Sequence, residues 1–205
     1  VINIILSRRY DLSLNFLIDE CLASLKDVLR KPAEDVKKDV LEFFRGRLQN
    51  QLISQGCAYD TVDAVLAADI DRLVLVIEKI QALQAFRANP EFEPLSIAFK
   101  RIDNILKDFH GGSVDVNLLS QEAEIKLFAN FENIGTRVEK GIAEKDFTAA
   151  LNKLAALRSP VDAFFDSVMV MDKDEKIRFN RLSLLADISA LFHQIADFSK
   201  IVTAG

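Results

Sequence analysis

The sequence predicts an all-α protein, a bundle of many helices, and three observations carry that expectation. Seven glycines and four prolines among 205 residues are few for the turns of a strand-rich fold. Alanine, leucine, isoleucine and lysine are abundant, whereas tyrosine occurs only twice. Apolar residues return every three to four positions, the period of a helix with one buried face. With half of its residues apolar, the chain can bury a substantial core.

The elements follow in order. The chain opens on VINIIL, inside an apolar pattern and without a methionine, as expected of a piece of a longer protein. A first helix is expected over 12–29 and stops at Lys31-Pro32, because the residue before proline is pushed out of the helical region. A second spans 33–54 and ends at Gly56, which suits a left-handed cap. Asp60 opens a third over 60–67, where its carboxylate would cap free amides, and 69–86 repeats the pattern until Asn89-Pro90. The helix over 91–109 carries Pro94 in its first turn, where the missing N–H costs nothing, and stops at His110-Gly111-Gly112. That glycine pair with Ser113 is the natural linker. Beyond it, helices are expected over 120–142, 146–157, 160–168 and 174–200.

Charge and cysteine content narrow the function. A net charge of −5 argues against indiscriminate coating of nucleic acid, which needs many phosphate contacts, yet leaves room for a local basic face. Cys21 and Cys57, with no CxxC spacing, read as reduced, buried core thiols of a cytoplasmic protein. No uncharged run approaches the roughly 18 apolar residues that a membrane span needs. There is no GxxxxGK[ST] phosphate loop and no GxSxG elbow, and His110 and His193 lack companions at metal-ligand spacing. The chain by itself is expected to be non-catalytic, with no cofactor or metal of its own. Asp172 and Asp174 precede a helix and are expected to cap it, while Met169 and Met171 are expected to fill core gaps.

The informative positions are basic. In the 91–109 helix, Phe92, Leu95, Phe99, Ile102, Leu106 and Phe109 form one stripe. The opposite side carries Lys100, Asn104 and Lys107 at i, i+4 and i+7, with Arg101 on the flank. Lysine and arginine neutralise phosphates, and asparagine and arginine read the edges of unstacked bases. The face therefore suits RNA, although a solvated surface gives the same pattern. In the last helix Arg181 falls within the apolar stripe of Ile177, Leu184, Leu185, Ile188, Phe192 and Ile195, with Arg178 at its edge. A lone buried charge is expensive, so Arg181 either pairs with a carboxylate such as Asp162 or Asp166 or contacts RNA directly.

The run LRSPVDAFFDSVMVMDKDEKIRFNRLSLLADISALFHQIADFSKI resembles the end of the bacterial glycyl-tRNA synthetase β subunit family. The blocks YDTVDAVLA, IQALQAF and PEFEPLSIAFKRIDNILK precede it in the family's order. INIILSRRYDLSLNFLIDECL resembles the segment before them, so the likeness spans almost the whole chain. It implies a DALR-like helical anticodon-binding domain over 57–205, related to those of arginyl and cysteinyl synthetases. A smaller helical segment, 1–56, would link it to the rest of the parent.

The resemblance also implies a cytoplasmic assembly in which an α subunit activates glycine with ATP and magnesium, while the β subunit grips glycine tRNA. The family's motif positions fall on Lys100, Arg101 and Asn104 in FKRIDN, and on Arg178, Asn180 and Arg181 in RFNRL. With Lys107 these become the expected RNA contacts. The chain departs from the family pattern at Gln81, where arginine is usual, and at Phe179, where a small residue is usual. Two rivals stand beside this reading. One is a helical scaffold that binds only protein, such as the partner subunit; the other is the tail of an arginyl-tRNA synthetase, against which stands the ending IADFSKIVTAG without a terminal methionine.

Overall fold

The computed structural model describes residues 1–107, 109 and 111–203. His110, one of the expected helix-stop residues, lies outside the described residues. Among the described residues the chain is helical and without strands, as the all-α expectation requires. Helix α1 (Ile2–Arg8), which the apolar VINIIL pattern did not mark, buries Ile2 and Ile5 and closes at Arg9 with a left-handed φ of 50°. Helix α2 (Leu14–Leu25) is shorter than expected at both ends. Its start is fixed from a distance: the Asp71 carboxylate accepts from the Ser13 hydroxyl (2.8 Å), the Asn15 backbone N–H (2.8 Å) and the Asn15 side chain (2.9 Å). At its end and beyond it, Leu25 and Val28 are exposed, so no burial holds a further turn.

Helix α3 (Ala33–Ser54) places Glu34 and Asp35 in its first turn, where they favour the helix dipole, and ends as expected, with Gly56 at φ 92°. Helix α4 (Tyr59–Ala68) begins before Asp60, which is therefore not its cap. Asp60 is buried instead. Its carboxylate accepts from Arg87 (2.9 Å) and from the Val202 N–H (2.9 Å), tying α4 to the carboxy-terminal segment. Helix α5 (Leu73–Phe86) starts later than expected because Asp69 accepts from the Asp71 N–H (2.8 Å) and shapes a turn there. Helix α6 (Phe92–Ile105) carries Pro94 in its first turn and buries Phe92, Leu95, Phe99 and Ile102, the predicted stripe. It stops a turn early, and Leu106 and Phe109 pack half-buried beyond it.

Helix α7 (Glu122–Ala143) packs on α8 (Phe147–Leu154), which Asp146 caps, and on α9 (Arg158–Ser167). The last helix, α10 (Glu175–His193), is capped by Asp174 as expected. The chain leaves α9 extended at Val168, so side chains alternate: Val168 and Val170 are buried, while Met169 and Met171 are 72% and 60% exposed. The methionines therefore do not fill the core. The expected linker lies flat on α10, where a Cβ at Gly112 would come within 2.5 Å of the Phe179 ring and 2.6 Å of Ser183 Oγ. Helix α10 ends at His193, earlier than expected. Asp197 then caps a 3-10 turn, and its N–H donates to the Ala64 carbonyl (2.9 Å). Phe198 thereby meets Phe99 (5.8 Å) and Phe192 (5.4 Å) in an aromatic cluster.

Helix α5 packs against α8, so one hydrophobic core runs from α1 to Ile201. Cys57 is half-buried but Cys21 is exposed, against the expectation of two core thiols, because α2 buries only Leu14 and Ile18. Among the described residues no helix is long and apolar enough to cross a membrane, and no group of His, Cys, Asp and Glu is placed to hold a metal ion.

Arg181 is 2% exposed. Its Nε meets Glu124, itself 1% exposed, and its Nη1 donates to Asp172 (2.7 Å) and to the Met169 carbonyl (2.8 Å). Gln121, with its amide oxygen turned toward Arg181, accepts from Nη2 (3.0 Å). The expected partners are thus replaced: Asp162 pairs with Arg158 (2.8 Å), and Asp166 is exposed. The second Glu124 oxygen accepts from the N–H groups of Ser120 (2.9 Å) and Gln121 (2.8 Å), so one carboxylate starts α7 and anchors α10. Burial pushes the Glu124 carboxyl up, but the Gln121 N–H, the Arg181 guanidinium and the Ser120 N–H outweigh it and hold it below the usual glutamate range. Asp60 and Asp71 are held low in the same way, their hydrogen-bond donors outweighing burial.

Two outcomes follow for stability. Removing one member of a buried pair strands the other charge, so Arg181→Met should lower unfolding free energy by about 3–5 kcal/mol in urea titration. Adding Glu124→Gln should then cost less than it does alone; a loss below about 1 kcal/mol for Arg181→Met would contradict the assignment. The acid dependence has a definite sign, because a carboxyl held low in the folded state adds stability above its ordinary value and loses it as pH falls through the folded one. Melting temperature should hold between pH 7 and about 5, drop as pH passes below about 4.5, and drop less steeply in Glu124→Gln.

Candidate nucleic-acid interface

The two groups of motif residues end in different places. On α6, Arg101 and Asn104 are exposed, Lys100 is half-buried, and Lys107 is exposed just beyond the helix. The buried stripe dictates this, since α6 turns it onto α9, α10 and the 3-10 turn at Phe198–Lys200, leaving the opposite side to solvent. Lys100 Nζ lies 3.4 Å from the Thr203 hydroxyl. Arg101 sits over the Phe165 ring of α9, its guanidinium carbon 4.2 Å from the ring centroid, and its Nη2 lies 3.5 Å from the Phe165 carbonyl oxygen. Among the described residues, neither Lys100, Arg101 nor Lys107 pairs with a carboxylate. The face therefore offers positive charge and a side-chain amide, with the half-buried Asp103 three positions after Lys100 on the same helix.

On α10 the motif turns inward. Asn180 is 3% exposed; its side-chain oxygen accepts from the Asp115 N–H (2.6 Å) and its NH2 donates to the Asp115 carbonyl (3.0 Å). It thereby pins the 3-10 turn Val116–Leu118, which Asp115 caps. Arg178 is half-buried, donating to the Asp172 carbonyl (3.1 Å) with Glu175 at 3.5 Å. Asn180 and Arg181 present no group to a surface ligand, so the expectation of RNA contact is withdrawn for these two. The physical reason is that α10 is covered twice, by the core and by the segment that crosses it at Gly112 and Asp115.

Sequence reasoning missed two residues that position the rest. Glu124 carries the spacing of a capping box with Gln121, a signal that marks it as a helix-start residue. Its pairing with Arg181, 57 positions away, leaves no local trace. Phe165 belongs to an apolar pair and reads only as core, so its place beneath Arg101 is a purely tertiary fact.

Residues 95–203, which include all of the motif positions, match the DALR anticodon binding domain. Residues 1–67 match the glycyl-tRNA synthetase beta subunit family. The glycine–tRNA ligase beta subunit of Syntrophus aciditrophicus (strain SB) is 54% identical over 203 residues, 99% of this chain. Those of Geobacter metallireducens and Syntrophotalea carbinolica are 47% and 45% identical, each over 98% of it. In every case the match covers 29% of the relative, so the chain spans less than a third of their length. The relatives are subunits of an enzyme, a ligase. The chain belongs to the DALR anticodon binding domain family and is similar along nearly its whole length to glycine–tRNA ligase beta subunits.

Proposed function

We propose that the outward face of α6 binds the anticodon loop of glycine tRNA, with Lys100 and Lys107 on phosphates and Arg101 and Asn104 on unstacked bases. The parent protein would then be a cytoplasmic ligase of α and β subunits, attaching glycine to its tRNA with ATP and magnesium bound outside this chain. The contribution of the chain is positional: a gripped anticodon stem holds the acceptor end near a distant reaction centre. The observation that carries the reading is the location of the exposed Arg101, Asn104 and Lys107 and the half-buried Lys100 along and just beyond α6, inside the residues that match the anticodon binding domain. A modest number of phosphate contacts is compatible with a chain of net charge −5.

A second reading concerns the amino-terminal segment, 1–56. Ile4, Phe16, Val28 and Phe43, spread over α1 to α3, are each more than 60% exposed there, apolar side chains suited to protein contact more than to RNA. That segment is therefore assigned to assembly with the rest of the β subunit or with the α subunit.

The test uses the parent protein carrying Lys100→Ala, Arg101→Ala and Asn104→Ala together. Affinity for glycine tRNA at one fixed salt concentration should fall about tenfold or more, with melting temperature unchanged. The slope of log affinity against log salt should shrink by about 0.7, the share of the one phosphate-bound lysine removed on a single strand. Wild-type affinity in the triple variant would overturn the reading.

A further inference from the structure

We infer that Arg101 and Phe165 form a built stacking shelf for one unpaired nucleobase, a role distinct from phosphate binding or edge reading. The inference rests on the reading of α6 as an RNA-binding face and deepens it. A guanidinium is flat, delocalised and weakly hydrated, and it stacks on aromatic rings and on bases through its plane. The Arg101 guanidinium carbon lies 4.2 Å from the centroid of the Phe165 ring, and Nη2 lies 3.5 Å from the Phe165 carbonyl oxygen. The residue as a whole is nonetheless exposed, which leaves room for a ligand beside it.

The support beneath it does not move freely. Phe165 is 9% exposed and packs at 5.7 Å, edge to face, against Phe164, which is fully buried. A free surface arginine loses rotamer freedom when a base stacks on it; an arginine already laid on a fixed ring has lost most of that freedom beforehand. The surroundings suit the same ligand. Asn104 lies three positions on along α6, where a side-chain amide meets the edge of a stacked base, and Lys100 precedes Arg101 directly. The chain thus supplies stacking without an exposed aromatic on α6, by setting an arginine over a buried one. The ligand class is a single-stranded RNA loop with at least one base turned out of its stack.

The test separates the plane of Arg101 from its charge. Glycine tRNAs, each with one anticodon-loop nucleotide made abasic, are titrated against the parent protein and its Arg101→Lys variant at one salt concentration. Stacking is worth enough that Arg101→Lys should bind the intact tRNA about tenfold more weakly, although its charge and its salt dependence persist. At one loop position the abasic change should cost the wild type about tenfold and cost Arg101→Lys nothing further. The shelf is overturned if Arg101→Lys binds like wild type, or if its effect multiplies with the abasic effect at every position. A Lys100→Ala, Lys107→Ala variant distinguishes the two levels. If it weakens binding while Arg101→Lys does not, the shelf falls and the RNA face stands; if neither weakens binding, both fall.

Discussion

Arg181 carries a permanent positive charge into a site that is 2% exposed, and the carboxy-terminal bundle is arranged around its five donors. Glu124 answers one side and in the same act caps the start of α7. Asp172 and the Met169 carbonyl answer another and fix the short connection between α9 and α10. Gln121 completes the set. The start of α7, helix α10 and the connection before it are therefore held by one guanidinium, whose demand for partners admits few alternative packings. Apolar residues of equal volume often replace a whole buried ion pair without loss, so its role here is the arrangement it enforces more than net stability.

The arrangement reaches the surface through α9. With α9 packed on α7, Phe165 lies beneath Arg101, while the aromatic group of Phe99, Phe192 and Phe198 holds the other side of α6. The carboxy-terminal segment closes the structure: Val202 reaches Asp60 and Thr203 lies beside Lys100. The candidate RNA face is thus presented by a helix whose position is set by groups that never meet solvent. A change at Glu124 or Asp60 acts on that face indirectly, through the position of α6 and α9.

The fold class, the order of the main helices and the buried stripe of α6 were legible in the sequence because each rests on local period and local stop signals. Gly56, Pro94 and Asp174 acted as such signals are expected to act. Helix ends decided by remote groups were not legible: Asp71 sets the start of α2 from 56 positions away, and Asp60 serves Arg87 instead of a helix cap. The methionine pair misled because an apolar run was read as buried throughout, whereas the extended backbone turns Met169 and Met171 outward. The candidate site was half legible. The wheel put Arg101, Asn104 and Lys107 outside, as the structure has them, with Lys100 half-buried; Asn180 and Arg181 share their chemistry with RNA readers and are buried, which residue type alone does not reveal.

The most direct measurement of the central claim is the affinity of the parent protein for glycine tRNA and for the same tRNA with its anticodon replaced, at one physiological salt concentration. The account predicts a preference of about tenfold or more for the native anticodon, because correct hydrogen-bonding edges are read on the α6 face. It also predicts that Asn104→Ala erases most of that preference while leaving the fold intact. Equal affinity for the two tRNAs in the wild-type protein would contradict it, and would assign α6 to backbone contact alone.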